Sequence, residues 1–372
     1  MSRFLFYLIV VNMLTNMVSI TPRILIAGST TGTVLSLLLA LVVGMILTYF
    51  LIKLFSEFPG QGLPEIIKDH VPKGLSAPIL LFFSLAWYFA GLSTLVVYSL
   101  IIFRFLTPEM SIYTIVLAFV VVVTYGVLMT SSNILYMSEI VLIIVFPFIF
   151  FVQLKGYLSS SLNWDYVRVA IMQINHLPSY TSFTASLFIV IGAANLIIFN
   201  RFFTKLKKPS RKGMTILSLT CTFILLTTYF LPIGFGGFEA LNNVLYPWIA
   251  TSDSIRMKFG IIERIVFIFI GAFLALGVIS MTMHWHVSLQ LLSSVIYFKR
   301  FKWKSVNLTL PLFIIFFWAV TMFTTKTITS NGIFQAVQLF DRIILPIIII
   351  LLFVCLLAGK KGAQSKCPES KK

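Results

Sequence analysis

Charge is scarce in this sequence, and acid is scarcer than base. Only 10% of the 372 residues are charged, with 11 Asp and Glu against 28 Lys and Arg, while 59% are hydrophobic and the mean hydropathy is +1.01. Such a chain has too little polar surface for a water-soluble domain. Cysteine is short as well: Cys221 and Cys355 lie in apolar runs and Cys367 in the tail, a spacing that makes neither a disulfide framework nor a metal cluster. There is no Ser/His/Asp arrangement, no phosphate-cradling glycine loop and no pair of carboxylates inside an apolar run, so the chain is read as no enzyme and as needing no cofactor. The net charge of +17 would suit nucleic acid. Its placement in short stretches between apolar runs is instead that of a membrane protein.

Ten apolar runs are read as spans: 4–20, 34–51, 79–103, 112–129, 134–154, 183–203, 216–233, 261–296, 308–322 and 343–357. About 20 residues at ~1.5 Å rise cover a ~30 Å hydrocarbon core. The predicted fold class is therefore an all-α polytopic membrane protein, with one transmembrane domain over 1–358 and a polar basic tail over 359–372. Met1-Ser2-Arg3 before an apolar run also fits a signal peptide, but no A-x-A-like site follows, and the segment is read as a helix. With the N-terminus inside, 19 of the 28 Lys and Arg fall on the inner side, 8 on the outer side, and Arg264 within a span. Both termini are thus expected in the cytoplasm. The basic run 201–212 is read as a topology determinant, with anionic lipid or a partner as the alternative. In the connection 56–78, Pro59-Gly60 ends the second span and Glu65-Ile66-Ile67-Lys68-Asp69 suits a short interfacial helix. The connection 234–260 is either a lid or a structural loop, with Tyr246-Pro247-Trp248 as an aromatic interface anchor.

Two spans are weak in the middle. The sixth carries Gly192-Ala193-Ala194-Asn195, and the first is interrupted by Asn12, Thr15 and Asn16. Each opens one half of the chain, roughly 1–155 and 183–358. Interrupted spans at matching places in two halves point to a transporter-type binding site. The alternative is a pair of ordinary helices with a packing glycine and bundle-facing amides. Two stripes recur at helical spacing: Tyr88, Gly91, Leu95 and Tyr98 in the third span, and Gly277, Ser280, Met281 and His284 in the eighth. Cavity lining and plain helix packing explain them equally well. His284 and His286 are two apart and do not share a helix face, which argues against a common metal site. Glu139 and Arg264, near the ends of their spans, are expected to face protein, and Glu263-Arg264 to anchor the outer loop.

Several local runs, in order, resemble the B-subunit family of spore germinant receptors, the endospore germination permeases of the amino acid–polyamine–organocation superfamily. They are Phe58-Pro59-Gly60-Gln61 with Glu65-Ile66; Glu139 followed by Phe146-Pro147; and Tyr246-Pro247, Ser254-Ile255 and Glu263-Arg264. The chain departs from the family's pattern at Met13-Leu14-Thr15-Asn16, at Gly192-Ala193-Ala194-Asn195, and at Tyr136, where the family places an arginine three residues before Glu139.

The resemblance implies a LeuT-like five-plus-five inverted repeat with a ligand pocket among spans one, three, six and eight. It implies a complex with an A subunit and a C-subunit lipoprotein in the spore inner membrane, and sensing of a small nutrient such as an amino acid. On the residues, the candidate ligand site is Asn12, Thr15, Asn16, Tyr98, Gly192, Asn195, Ser280 and His284, a charge-free lining that suits a neutral or zwitterionic ligand. Two further hypotheses stand beside the sensor: a small-solute transporter of the same fold, and an interaction subunit with a vestigial pocket. The centre of the fifth span, Val145-Phe146-Pro147-Phe148, lacks the lysine that proton-coupled relatives of the fold can carry.

Overall fold

The computed structural model describes residues 2–205, 208–255, 264–298, 301–303 and 306–365. Of the residues named above, Met1, Glu263 and Cys367 lie outside them, and so do nine of the Lys and Arg in the charge count: Lys207, Arg256, Lys258, Lys299, Arg300, Lys304, Lys366, Lys371 and Lys372. The described chain is a helical bundle. Its helices, in order, are α1 (Arg3–Val18), α2 (Thr21–Ala27), α3 (Thr33–Phe55), α4 (Leu63–His70), α5 (Lys73–Phe105), α6 (Ile112–Val127), α7 (Ser131–Tyr157), α8 (Trp164–Met172), α9 (Tyr180–Val190), α10 (Leu196–Phe199), α11 (Arg211–Leu241), α12 (Pro247–Ser254), α13 (Ile265–Val295), α14 (Thr309–Thr327) and α15 (Ser330–Ser365). A 3₁₀ turn, Gly192–Asn195, joins α9 to α10, and Lys302–Trp303 pairs antiparallel with Val306–Asn307.

Among the described residues, seven helices are long and apolar enough to cross a membrane. Two bent pairs, α1 with α2 and α9 with the Gly192–Phe202 segment, raise this to nine, and α6 is a shorter apolar helix of 16 residues. A helix satisfies its own backbone groups, which is why lipid admits it. Pro78, Pro147, Pro232 and Pro346 all lie inside these helices without ending them. Two boundaries differ from the hydropathy reading. α15 begins at Ser330, not near 343, and continues through the expected tail to Ser365. Asp341-Arg342 interrupts the apolar run, but nothing there breaks a helix. The Glu65-Ile66 segment is helical, as α4, yet its apolar residues Leu63, Ile66 and Ile67 are buried, with α15 among its neighbours.

α13 is the central post, and its most extensive contact is with α5. The two helices exchange notches. A Cβ on Gly91 would stand 2.3 Å from Cδ1 of Trp285, and one on Gly277 would stand 2.9 Å from the Tyr98 ring. Tyr88 stacks near Trp285 at 5.7 Å and donates from its hydroxyl to Phe317 O at 3.0 Å. Both stripes therefore serve helix packing. Tyr246 and Trp248 are buried, not interfacial: Trp248 stacks on Phe269 and donates to Thr228 O at 3.1 Å. An aromatic with one polar tip suits a core that offers a carbonyl as well as it suits a membrane interface. Pro247 opens α12, and Gly237 upstream takes a φ of +67° where α11 kinks.

A candidate ligand site between two broken helices

The two weak spans are bent, by 57° for α1–α2 and by 54° for α9 and its continuation. The second break falls at Gly192–Asn195. There the helix tightens to 3₁₀, and the carbonyls of Phe188 and Ile189 accept from Nδ2 of Asn12 at 2.9 and 3.1 Å. A broken helix strands the carbonyls of its last turn, and here an amide from α1 meets them. Gly192 permits the approach, since a Cβ there would stand 2.9 Å from Ile9 Cα. The first break is not at the asparagines. α1 runs intact through Asn12, Thr15 and Asn16 and ends at Val18. Tyr98 donates to Thr15 O at 3.1 Å, and Ser19 Oγ to Asn16 O at 3.3 Å.

A cavity of about 30 Å³ lies beside the second break, lined by Asn12, Gly192, Asn195 and His284, together with Ala86, Trp87, Ala90, Phe188, Ile191, Ala194, Phe340, Ile344 and Ile347. Four of the eight expected residues thus meet at one place. The others sit beside it: Thr15 donates to Leu276 O at 3.3 Å, Asn16 to Asn12 O at 2.9 Å, Tyr98 to Thr15 O, and Ser280 Oγ lies 3.4 Å from His284 Nδ1. Trp87 Nε1 donates to Asn195 Oδ1 at 2.7 Å, which fixes that amide with its NH₂ as the remaining donor. His284 Nδ1 lies 2.7 Å from Ser280 O, so the neutral ring carries its proton on Nδ1 and keeps Nε2 as an acceptor. His286 points elsewhere, with Nδ1 3.0 Å from Val127 O and Nε2 2.9 Å from Ser131 Oγ. A cavity of this size holds a water or two, so a nutrient-sized ligand enters only if a wall moves.

The structure adds residues that the sequence reading passed over. Trp87 is one helical turn before Gly91 and widens the stripe already noted. Phe340 comes from the part of α15 that precedes the apolar run 343–357, and Ile344 and Ile347 from the first turns of that run. Beside them Asp341 is fully buried, and neither carboxylate oxygen has a hydrogen-bond partner among the described residues. An acidic residue at mid-membrane costs about 2.5–3.5 kcal/mol on an insertion scale, and by default it marks function.

At the end of the molecule where α1 begins, the Phe58–Gly62 turn is latched to the end of the sixth span. Asn200 Nδ2 lies 3.2, 2.7 and 2.7 Å from the carbonyls of Phe55, Phe58 and Gln61. Gly60, beside Pro59, takes a φ of +75° and donates to Phe203 O at 3.1 Å. Glu65 accepts from Arg201 at 2.7 and 3.1 Å and from Gly62 N–H at 2.8 Å, and Arg201 also reaches Gln290 at 3.0 Å. Arg201, one member of the basic run in the sequence, thus closes a latch in the fold. Glu139 pairs with Arg3 at 3.3 Å, so the N-terminus supplies the guanidinium expected at position 136. Arg264 caps α13, half-exposed, 3.7 Å from Asp253, and does not face the bundle interior.

The family model Spore_permease, described as spore germination protein, matches residues 1–329. No curated protein matches the chain.

Proposed function

The chain belongs to the spore germination protein family, a membrane family of permease or receptor type, and on that premise we propose that it is the membrane-embedded sensing subunit of a spore germinant receptor. Its ligand is a small neutral or zwitterionic nutrient, an amino acid or similar. One observation carries the reading: Asn195, its amide held by Trp87, and His284, whose Nε2 has no hydrogen-bond partner among the described residues, line one cavity at a helix break. One is a donor suited to a carboxylate and the other an acceptor suited to an ammonium, and the lining residues carry no net charge. The ten crossings form two inverted halves, with both termini cytoplasmic, in the spore inner membrane. The chain works beside an A subunit and a C-subunit lipoprotein.

Because the cavity is small, the ligand binds by selecting an opened form. Asn195→Leu removes up to two hydrogen bonds, each worth about 0.5–1.5 kcal/mol net. The nutrient concentration for half-maximal germination then rises several-fold to about a hundredfold, since ~1.4 kcal/mol is tenfold, and abundance falls modestly because Trp87 Nε1 loses its acceptor. An unchanged midpoint would remove Asn195 from the site. The broken helices favour one second reading, a transporter of small solutes. Gradient-driven, saturable uptake of labelled amino acids into proteoliposomes would establish it.

A further inference from the structure

A lateral cleft of about 650 Å³ opens between α7 and α11, with α1 as its floor. Val10, Leu14 and Ile149 are buried at its base, whereas Ile143, Phe146, Leu219 and Phe223 are exposed along its lips. Three polar side chains reach it: Gln153, whose Nε2 lies 3.5 Å from Met17 Sδ; Thr220, which donates to Ile216 O at 3.0 Å; and Tyr7, at the end shared with the hollow described next. The rest of the cleft offers apolar surface. Phe6 and Tyr7 also line a second hollow, of about 420 Å³, formed with Ser2, Arg3, Ser210, Lys212, Gly213 and Ile216. This hollow is basic. Arg3 uses Nε on Glu139, which leaves both terminal NH₂ groups for a second anion, and Lys212 is in no ion pair among the described residues.

We propose that the joined cleft and hollow bind one anionic phospholipid, with its phosphate at Arg3 and Lys212 and its acyl chains on α1 between α7 and α11. Basic pockets between membrane helices recognise such head groups, and an amphiphile is the occupant whose charge sits at one end only, as the site's does. A partner's helix would leave the basic hollow unfilled. The floor is the helix that carries Asn12, so the lipid bears directly on the candidate ligand site. The lipid assignment itself needs only these two cavities.

The test is native mass spectrometry of the purified full chain after exchange into mixed phosphatidylglycerol and phosphatidylcholine. The chain is expected to retain phosphatidylglycerol about tenfold over phosphatidylcholine, in keeping with basic contacts at a membrane surface. Lys212→Gln, at an exposed position outside the Glu139 pair, lowers that preference several-fold, and Arg3→Gln with Lys212→Gln abolishes it. Leu219→Trp, on a cleft lip, lowers retention of either lipid while helicity is unchanged. No preference in the parent chain, or a preference that survives the double variant, overturns the proposal. So does displacement by inorganic phosphate, which would mark a free-anion site. Protection of Leu219→Cys by a co-expressed protein without lipid preference would assign the cleft to a partner instead and overturn it too.

Discussion

The two broken spans bend by nearly the same angle, 57° and 54°, and are built differently. In the second, the sequence itself weakens the helix: Gly192-Ala193-Ala194 has no large side chain, and the chain passes into a 3₁₀ turn. Its stranded carbonyls are met by Asn12 of the first span. In the first, the residues up to Val18 are ordinary helix, and the break at Ser19-Ile20 is met by Tyr98 from α5 and by Ser19 itself. Small residues loosen the second span, whereas at the first, Pro22, in the first turn of α2, has no N–H for the Val18 carbonyl and ends α1, and Tyr98 holds the end from another helix. Buried backbone groups need partners wherever they are freed, and the partner can be far away in the chain.

That difference predicts unequal sensitivity. Gly192→Val has the largest effect, because the clash is with the backbone of Ile9, which has no rotamer to yield. Overpacking commonly costs about 1–3 kcal/mol and more where a main chain must move, so membrane abundance should collapse. At the first break, Ser19→Ala removes one 3.3 Å bond and abundance should hold. Equal losses at the two positions, measured by quantitative blotting of spore membranes, would erase the distinction. Next comes Asn12→Leu, which strands the carbonyls of Phe188 and Ile189 at about 1–3 kcal/mol each. A lowered melting temperature in detergent is expected; an unchanged one would mean the second break is not held by α1.

The wall against the second break gives a change of opposite sign. Asp341 is fully buried and unpartnered among the described residues, on a helix that packs against α9. Asp341→Leu removes a buried carboxyl without a hydrogen-bond partner, whose lost solvation costs about 1–3 kcal/mol or more. The variant should melt higher, and if the acid serves the response it should germinate less. A lower melting temperature would mean that the carboxyl is held by favourable contacts.

Both breaks carry a local mark. The run of small residues with an amide at 192–195 is one, and Pro22, four residues after Val18, is the other. The reading of the first span on Asn12, Thr15 and Asn16 places its break too early, and the hydroxyl of Tyr98 that holds Thr15 O carries no local mark at all. The membrane class, most helices and the family resemblance were legible, because long apolar runs have few alternatives in lipid. The start of α15 was not, since Asp341-Arg342 lowers hydropathy without breaking a helix, and with it went Phe340 and Asp341. Arg201 and Asn200 were legible as polar residues but not as a latch, because their partners lie about 140 positions away in the chain.

The smallest effect is the one that tests the first break directly. Tyr98→Phe keeps the ring in the notch at Gly277 and removes only the hydroxyl that donates to Thr15 O at 3.1 Å. A buried carbonyl left without its donor costs about 1–3 kcal/mol, and the low end applies because a last-turn carbonyl relaxes readily. Gly277→Ala acts on the same bond by another route. Its Cβ would stand 2.9 Å from the ring and push the whole phenol away, so it costs packing as well. The ordering expected in thermal melts is therefore parent, then Tyr98→Phe, then Gly277→Ala. Adding Gly277→Ala to Tyr98→Phe should cost less than the sum of the two changes, because the hydroxyl is already gone. If Tyr98→Phe melts like the parent and the two changes simply add, the phenol does not hold the first break. The contrast between a break loosened by small residues and one set by a proline and held from another helix would then fail at the point where it is most specific.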